Sequence, residues 1–272
     1  MTQKDYDVEW RQFEANDGAK ISYRVLGNPE NPHVMLIHGW GVTGEYWRPQ
    51  YFLSEHLYLV IPDLRGYGES ESKPPFTISR MAVDLLDLAR REDVPFIVGH
   101  SMGGAIAQQL ASNFPEHFEG VVLAATFARF GTPFSAKFFE TAIPLINKID
   151  LRSFAKFASN MAYNVDKRTK LFFYRFYVKC RKEVLLENAK DILRYDGTWN
   201  LPSITSPVLI IHGDHDPVIS TNQAEYIADH IEDSHVVIMR DAGHEINFND
   251  PELFNMLVYG FVRSVHDGLL KQ

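Results

Sequence analysis

The stretch PFIVGHSMGG, residues 95–104, decides the fold of this chain. Its apolar run Phe96–Val98 is too short for a core helix and predicts a buried strand, and the helix-forming residues after position 104 predict a helix. The Gly-X-Ser-X-Gly pattern between them predicts a sharp turn that holds the hydroxyl of Ser101 clear of the sheet. Gly99 and Gly103 would let the flanking backbone pass without Cβ clashes. A chance match in a glycine-rich loop is the alternative, so the other parts of a site must be sought along the chain.

The composition of the 272-residue chain predicts one compact domain with an insertion, because 45% hydrophobic and 23% charged residues can bury a sizeable core. The net charge of -8 disfavours nucleic acid as a partner. A single cysteine, Cys180, excludes an internal disulfide and fits a reducing compartment. The charged N-terminus and the lack of long apolar runs predict a soluble, cytoplasmic protein without membrane insertion.

Short apolar runs alternate with helix-like segments along most of the chain. The predicted strands are a hairpin within Arg11–Val25 and the runs Val34–Ile37, Leu57–Ile61, Phe96–Val98, Val121–Ala124, Val208–Ile211 and Val236–Met239. The predicted helices are Ile78–Arg91, Met102–Asn113, Thr221–His230 and Pro251–Val265. This alternation predicts an α/β fold, in which helices cover both faces of a mostly parallel central sheet and ligands bind beyond the carboxyl ends of the strands.

The loops after the predicted strands supply the candidate chemistry. The glycines in residues 38–41, HGWG, leave room for backbone amides to approach a ligand. The amide of Trp40 is therefore a candidate oxyanion donor, in addition to the first amides of the helix after Ser101. Asp63 and Arg65, after the next strand, are predicted to form a structural pair or a cap rather than to act in catalysis.

A serine nucleophile needs a base and a carboxylate that orients the base. His244 is the predicted base among eleven histidines, because it follows the last strand on a loop that can reach over the strand ends. Two acids, Asp214 and Asp216, follow the strand at Val208–Ile211. We prefer Asp216, because Asp214 comes directly after a glycine turn and is better suited to capping that turn.

The segment HGDHD, residues 212–216, also permits a metal site, since His and Asp at close spacing suit zinc or a similar ion. No second cluster of comparable density in the sequence completes a coordination shell. No phosphate-binding glycine fingerprint or Walker lysine follows a predicted strand either. The prediction is therefore a site without metal or cofactor.

Five motifs follow one another along the chain, namely HGWG (38–41), DLRGYGES (63–70), GHSMG (99–103), GDHD (213–216) and GH (243–244). In these motifs the chain resembles the α/β-hydrolase superfamily, in its serine esterase and haloperoxidase-like branch, over roughly residues 13–132 and 206–265. The resemblance implies a triad of Ser101, His244 and Asp216, with the amides of Trp40 and Met102 as the oxyanion hole. Serine instead of aspartate at position 101 argues against haloalkane dehalogenase and epoxide hydrolase chemistry.

The resemblance also implies a helical cap inserted after strand 6. We predict a core of residues 1–132 and 206–272 and a cap of residues 133–205. One helix face of the cap is predicted to roof the substrate pocket with Phe172, Phe173, Phe176 and Tyr177, although plain packing against the core is the alternative for any one of them. The basic charge of the cap suits docking on the acidic core, and a lid at a membrane surface is the alternative.

These features predict a carboxylesterase-like serine hydrolase that cleaves a small to medium acyl or aryl ester through an acyl-enzyme intermediate. The same triad could instead cleave a C–C bond in a ring-cleavage diketone, open an enol-lactone or run cofactor-free perhydrolysis. A ligand receptor that retains the triad but turns over slowly is an alternative of another class. The predicted partner is a small-molecule ester.

Overall fold

The computed structural model describes residues 6–130, 140, 143–144 and 146–270, in which eight strands form one sheet. The strands are β1 (Glu9–Glu14), β2 (Lys20–Leu26), β3 (His33–Ile37), β4 (Tyr58–Pro62), β5 (Phe96–His100), β6 (Gly120–Ala124), β7 (Val208–Gly213) and β8 (Ser234–Met239). Their spatial order is β1-β2-β4-β3-β5-β6-β7-β8. The pairs that β2 makes with β1 and β4 are antiparallel, and the remaining pairs are parallel.

Helices connect most of the parallel strands. The α-helices whose two ends lie within the described residues are α1 (Ile78–Arg91), α2 (Met102–Asn113), α3 (Leu151–Asn160), α4 (Lys167–Lys179), α5 (Lys182–Arg194), α6 (Asn222–Ala228), α7 (Ile246–Asn249) and α8 (Pro251–His266). Two 3-10 helices span Gly44–Glu55 and Leu201–Ser203. Within the described ranges, none of the helices combines the length and the apolar character that crossing a bilayer requires.

The central strands are buried because helices cover each face of the sheet. In β3, Met35 and Ile37 belong to one apolar cluster, whereas Val34 and Leu36 belong to a second. This alternation follows from the two-residue period of a strand. Helix α1 packs into the first cluster and α8 into the second. The predicted fold class, a mostly parallel sheet with helices on both faces, is confirmed.

The helical insertion lies between β6 and β7, where α3, α4 and α5 follow one another. Helix α5 is tied to the core by polar contacts. The hydroxyl of Tyr67 donates to Oδ1 of Asn188 at 2.6 Å, and Nε1 of Trp40 donates to the carbonyl of Leu185 at 3.0 Å. Residues 133–139, 141–142 and 145 of the predicted cap lie outside the described residues. The domain boundaries themselves remain predictions.

Asp63 and Arg65 have structural roles. They do not pair with each other, although such a pair was one of the two predicted arrangements. Oδ1 of Asp63 accepts from Arg24 at 2.9 Å, and Nε of Arg65 donates to Asp84 at 2.7 Å. All four side chains are buried, so the two pairs tie the loop after β4 to β2 and to α1. Local sequence patterns could not identify these partners, because each lies at least 19 residues away in the chain.

Candidate active site

Ser101 occupies the turn between β5 and α2, where the Gly-X-Ser-X-Gly pattern predicted a sharp turn. Its φ of 54° lies in the left-handed region, which is strained for a residue with a side chain. The backbone is also crowded. A Cβ on Gly99 would overlap the carbonyl of Gly103, and a Cβ on Gly103 would overlap the carbonyl of Ile37. The turn therefore requires glycine at both positions.

The structure brings Ser101, His244 and Asp216 together from three separate loops. Nε2 of His244 lies 3.0 Å from Oγ of Ser101, and Nδ1 of His244 lies 2.8 Å from Oδ2 of Asp216. The other carboxylate oxygen of Asp216 accepts the backbone amides of Val218 and Ile219 at 2.7 and 2.9 Å. Because Asp216 holds the proton on Nδ1, the lone pair of Nε2 faces the serine hydroxyl.

Opposing effects set the pKa values of this pair. Burial would lower the pKa of His244, but the adjacent carboxylate of Asp216 outweighs burial, and the pKa is raised above its ordinary value of 6.5. Burial would likewise raise the pKa of Asp216, but the charge and hydrogen bond of His244 hold it below its ordinary value of 3.8. Both shifts favour a carboxylate beside an imidazolium, the charge state that forms when a serine proton passes to the histidine.

Asp214, the other candidate acid, binds other partners than His244. Its Oδ1 lies 2.7 Å from Nδ1 of His215 and accepts the amide of Ala242 at 3.3 Å. About a third of its side chain is exposed, whereas that of Asp216 is fully buried. Asp216 therefore binds His244, whereas Asp214 stabilises the loop after β7.

His100, directly before Ser101, supports the backbone of His244. Its Nε2 lies 2.8 Å from the carbonyl oxygen of His244 and 3.1 Å from the hydroxyl of Tyr46. Burial lowers the pKa of His100 to about 3, so the ring is neutral. The hydroxyl of Tyr46 donates in turn to Oδ1 of Asn247 at 2.8 Å. Sequence reasoning missed Tyr46 and Asn247, because only the fold brings the 3-10 helix and α7 to this point.

The loop that carries Trp40 lies against the turn at Ser101. A Cβ on Gly39 would sit 3.1 Å from Cβ of Ser101, so this contact leaves little room for a side chain. Met102 begins α2, and amides in the first turn of a helix have no acceptor within the helix. The oxyanion role of the Trp40 and Met102 amides remains a prediction.

A family model described as "alpha/beta hydrolase fold" matches residues 32–251. The chain belongs to this family. Among curated relatives of this α/β hydrolase, 3-oxoadipate enol-lactonase 2 of Acinetobacter baylyi is 25% identical over 257 residues, covering 88% of this chain and 91% of that protein. Lipase 3 of a Moraxella species is 27% identical over 256 residues, covering 88% of this chain and 79% of that protein.

The fold is also found among solved structures. An esterase from Exiguobacterium antarcticum matches with a TM-score of 0.87 at 23% identity, over 93% of this chain and 99% of that one. The predicted α/β-hydrolase superfamily is confirmed by the family model. Hydrolysis is the general chemistry that the relatives of this α/β hydrolase support.

A cavity of about 50 Å³, with room for a few water molecules, adjoins Ser101 and His244. Residues from both sides of the helical insertion in the chain and from the insertion itself line it together. The core contributes aromatic, aliphatic and acidic side chains, including Trp40, Val42, Tyr46, Val218 and Glu245. The helical insertion contributes Ala158, Met161, Phe173 and Tyr177.

The four aromatic side chains predicted to roof the pocket of this α/β hydrolase lie in two places. Phe173 and Tyr177 line the cavity, but Phe172 and Phe176 line a separate groove, which they share with Arg175. The cause is helical spacing. Residues four apart lie on one stripe of a helix, so positions 173 and 177 form one stripe and positions 172 and 176 the next. The four side chains together span too wide an arc of α4 to face one cavity.

The HGDHD segment does not gather its side chains around one point. Asp216 and His212 are buried, whereas the half-exposed ring of His215 stacks on Tyr163 with a centroid distance of 5.1 Å. Across the described part of the chain, no group of three or more His, Cys, Asp or Glu side chains is arranged to hold a metal ion.

Proposed function

We propose that this α/β hydrolase cleaves short-chain carboxylic esters through a covalent acyl-enzyme on Ser101. The observation that carries the proposal is the unbroken series of contacts from Asp216 through His244 to Ser101, at 2.8 and 3.0 Å, beside a small cavity. A serine activated by a positioned base is the standard requirement for acyl transfer.

In the acylation step, Oγ of Ser101 attacks the ester carbonyl carbon while Nε2 of His244 takes the hydroxyl proton. The negative charge that forms on the carbonyl oxygen is stabilised by the amides of Trp40 and Met102. Asp216 stabilises the imidazolium. When the C–O bond breaks, the leaving alcohol takes the proton from His244, and the acyl group remains on Ser101.

Deacylation repeats these events with water as the nucleophile. His244 removes a proton from the water, whose oxygen attacks the acyl carbon, and the same two amides stabilise the second oxyanion. The collapse of this intermediate returns the proton to Oγ of Ser101 and releases the carboxylic acid. The sum of both steps is one ester plus one water to one acid plus one alcohol.

The size of the cavity supports a short acyl group. The cavity has a volume of about 50 Å³, and Phe173 and Tyr177 of the insertion line it. A long acyl chain would therefore have to displace aromatic side chains. Enol-lactone opening is the second candidate, because one relative is a 3-oxoadipate enol-lactonase. A lactone is a cyclic ester, and the same proton transfers would open it.

The test is hydrolysis of p-nitrophenyl acetate, butanoate and octanoate by the wild type, S101A and the matched control S203A, with and without a chelator. Ser203 is an exposed serine, so S203A makes the same change away from the cavity. We expect acetate or butanoate to be preferred and S101A to lose about 10⁴-fold or more in kcat. Unchanged turnover in S101A would refute the mechanism. If the wild type is inert on all three esters, enol-lactones and ligand binding are tested next.

A further inference from the structure

One carboxyl group in the cavity has no part in the mechanism above. Glu245 follows His244 directly and lines the same cavity as Ser101. Its Oε2 is shielded from solvent and has no hydrogen-bond partner among the described residues. A buried polar atom without a partner costs free energy, and for a charged group the cost is larger. The cavity therefore contains an acceptor that a ligand can satisfy.

The pKa of Glu245 reflects this isolation. Burial raises it to about 7, the positive charge of His244 opposes the rise, and the negative charge of Asp216 adds to it. The positive charge of Lys170 on α4 also lowers the pKa. A hydrogen-bond donor that carries positive charge would compensate the carboxylate far better than water can in so small a space.

The rings around the cavity favour the same type of ligand. Trp40, Tyr46, Phe173 and Tyr177 all line it with Glu245. The faces of aromatic rings carry partial negative charge and attract cations, and the attraction grows when the cation is desolvated. Aromatic rings and a carboxylate in one cavity are a suitable environment for an ammonium group. They are unsuitable for a second carboxylate, which the charges of Asp216 and Glu245 would repel.

We propose that Glu245 is a specificity-determining residue that binds an ammonium group of the substrate, so that the preferred substrates are short esters that carry a protonated amine. This inference rests on ester hydrolysis at Ser101, as proposed above. Glu245 accepts an N–H of the ammonium group through Oε2, while the ester carbonyl lies at Ser101. No bond in Glu245 forms or breaks, and the reaction at the ester is unchanged.

Three acetate esters of matched size test the proposal. They are 2-(dimethylamino)ethyl acetate, which carries an ammonium group, its neutral isostere 3-methylbutyl acetate, and the anionic 3-acetoxypropanoate. Acetate release is measured with the wild type, E245Q and E116Q, in which an exposed glutamate undergoes the same change. A charge-assisted hydrogen bond predicts a kcat/KM about tenfold or more higher for the ammonium ester than for its isostere.

The E245Q variant should reduce this preference to within about twofold, because the amide retains the shape but not the charge. E116Q should keep the wild-type preference. Equal rates of the wild type on the ammonium and neutral esters, an unchanged preference in E245Q, or a preference for the carboxylate would each overturn the proposal.

Two further measurements separate the possible failures. S101A should lose turnover of every ester, and retained turnover would refute the mechanism rather than the role of Glu245. Calorimetric titration with 2-(dimethylamino)ethanol tests binding without turnover, and E245Q should weaken that binding about tenfold or more. Equal binding by the wild type and E245Q would overturn the role of Glu245 even if the esterase mechanism holds. Thermal unfolding checks that E245Q is folded.

Discussion

Asp216 can be tested by the substitution D216N, because the two oxygens of its carboxylate have different partners. Oδ1 accepts the amides of Val218 and Ile219, and Oδ2 faces Nδ1 of His244. An asparagine has only one acceptor oxygen. If that oxygen keeps the two backbone amides, Nδ2 must face His244 and donate to its Nδ1. The histidine is then forced to carry its proton on Nε2, where it cannot accept the proton of Ser101.

The expected loss is large because two contributions disappear together. The wrong tautomer removes the general base, and the missing charge no longer stabilises the imidazolium that forms during acyl transfer. We expect kcat to fall about 10⁴-fold, the magnitude associated with loss of the orienting carboxylate in a serine triad. The fold should be retained, since the amide has the same shape and keeps the contacts to Val218 and Ile219.

The assay is kcat and kcat/KM for p-nitrophenyl acetate, with D214N as the matched control. Asp214 is partly exposed and bound to His215, so D214N should retain activity within about threefold. A D216N variant that keeps activity within tenfold of the wild type would refute the reasoning. A large loss in D214N together with little loss in D216N would reverse the assignment of the acid.

Three other expectations follow from the same geometry. The pKa of His244 is raised above 6.5, and the base must be neutral to act. In a plot of kcat/KM against pH, activity should therefore be lost as the pH falls through a value above 6.5. A loss of activity centred below pH 6.5 would contradict this. G103A should destabilise the protein by about 3 kcal/mol in thermal unfolding, whereas G260A, which meets nothing within 4 Å, should not destabilise it. F173A should shift the acyl-length optimum toward longer esters, and F172A should not.

Local sequence signals were sufficient for the elements that position the triad. Helices α1 and α2 begin and end at the predicted residues, because an apolar period and clear end signals mark both. Ser101, His244 and Asp216 each follow a strand, so a parallel sheet was enough to predict that they would meet at one edge. The order of the strands was not predictable in this way, since pairing depends on contacts between remote segments.

Features that depend on side-chain direction or on remote partners could not be predicted from the sequence. The stripe of α4 that faces the cavity is set by how the insertion docks, and a pattern of aromatic residues cannot distinguish adjacent stripes. The contact from His100 through Tyr46 to Asn247 joins segments as much as 201 residues apart. The sequence shows that Glu245 follows His244. It does not show that Oε2 of Glu245 is buried without a hydrogen-bond partner among the described residues, because that depends on the folded cavity.

The selectivity proposed for Glu245 should appear in KM rather than in kcat. An ionised Glu245 raises the pKa of His244, because a negative charge stabilises the imidazolium. A bound ammonium group neutralises that charge. The electrostatic effect of Glu245 on His244 is then similar in two cases, namely ionised Glu245 with the ammonium ester and protonated Glu245 with a neutral ester. The ammonium contact then stabilises the ground state and the transition state alike, which lowers KM and leaves kcat unchanged. A difference confined to kcat between the ammonium ester and its neutral isostere would mean that Glu245 acts on His244 instead of on the substrate.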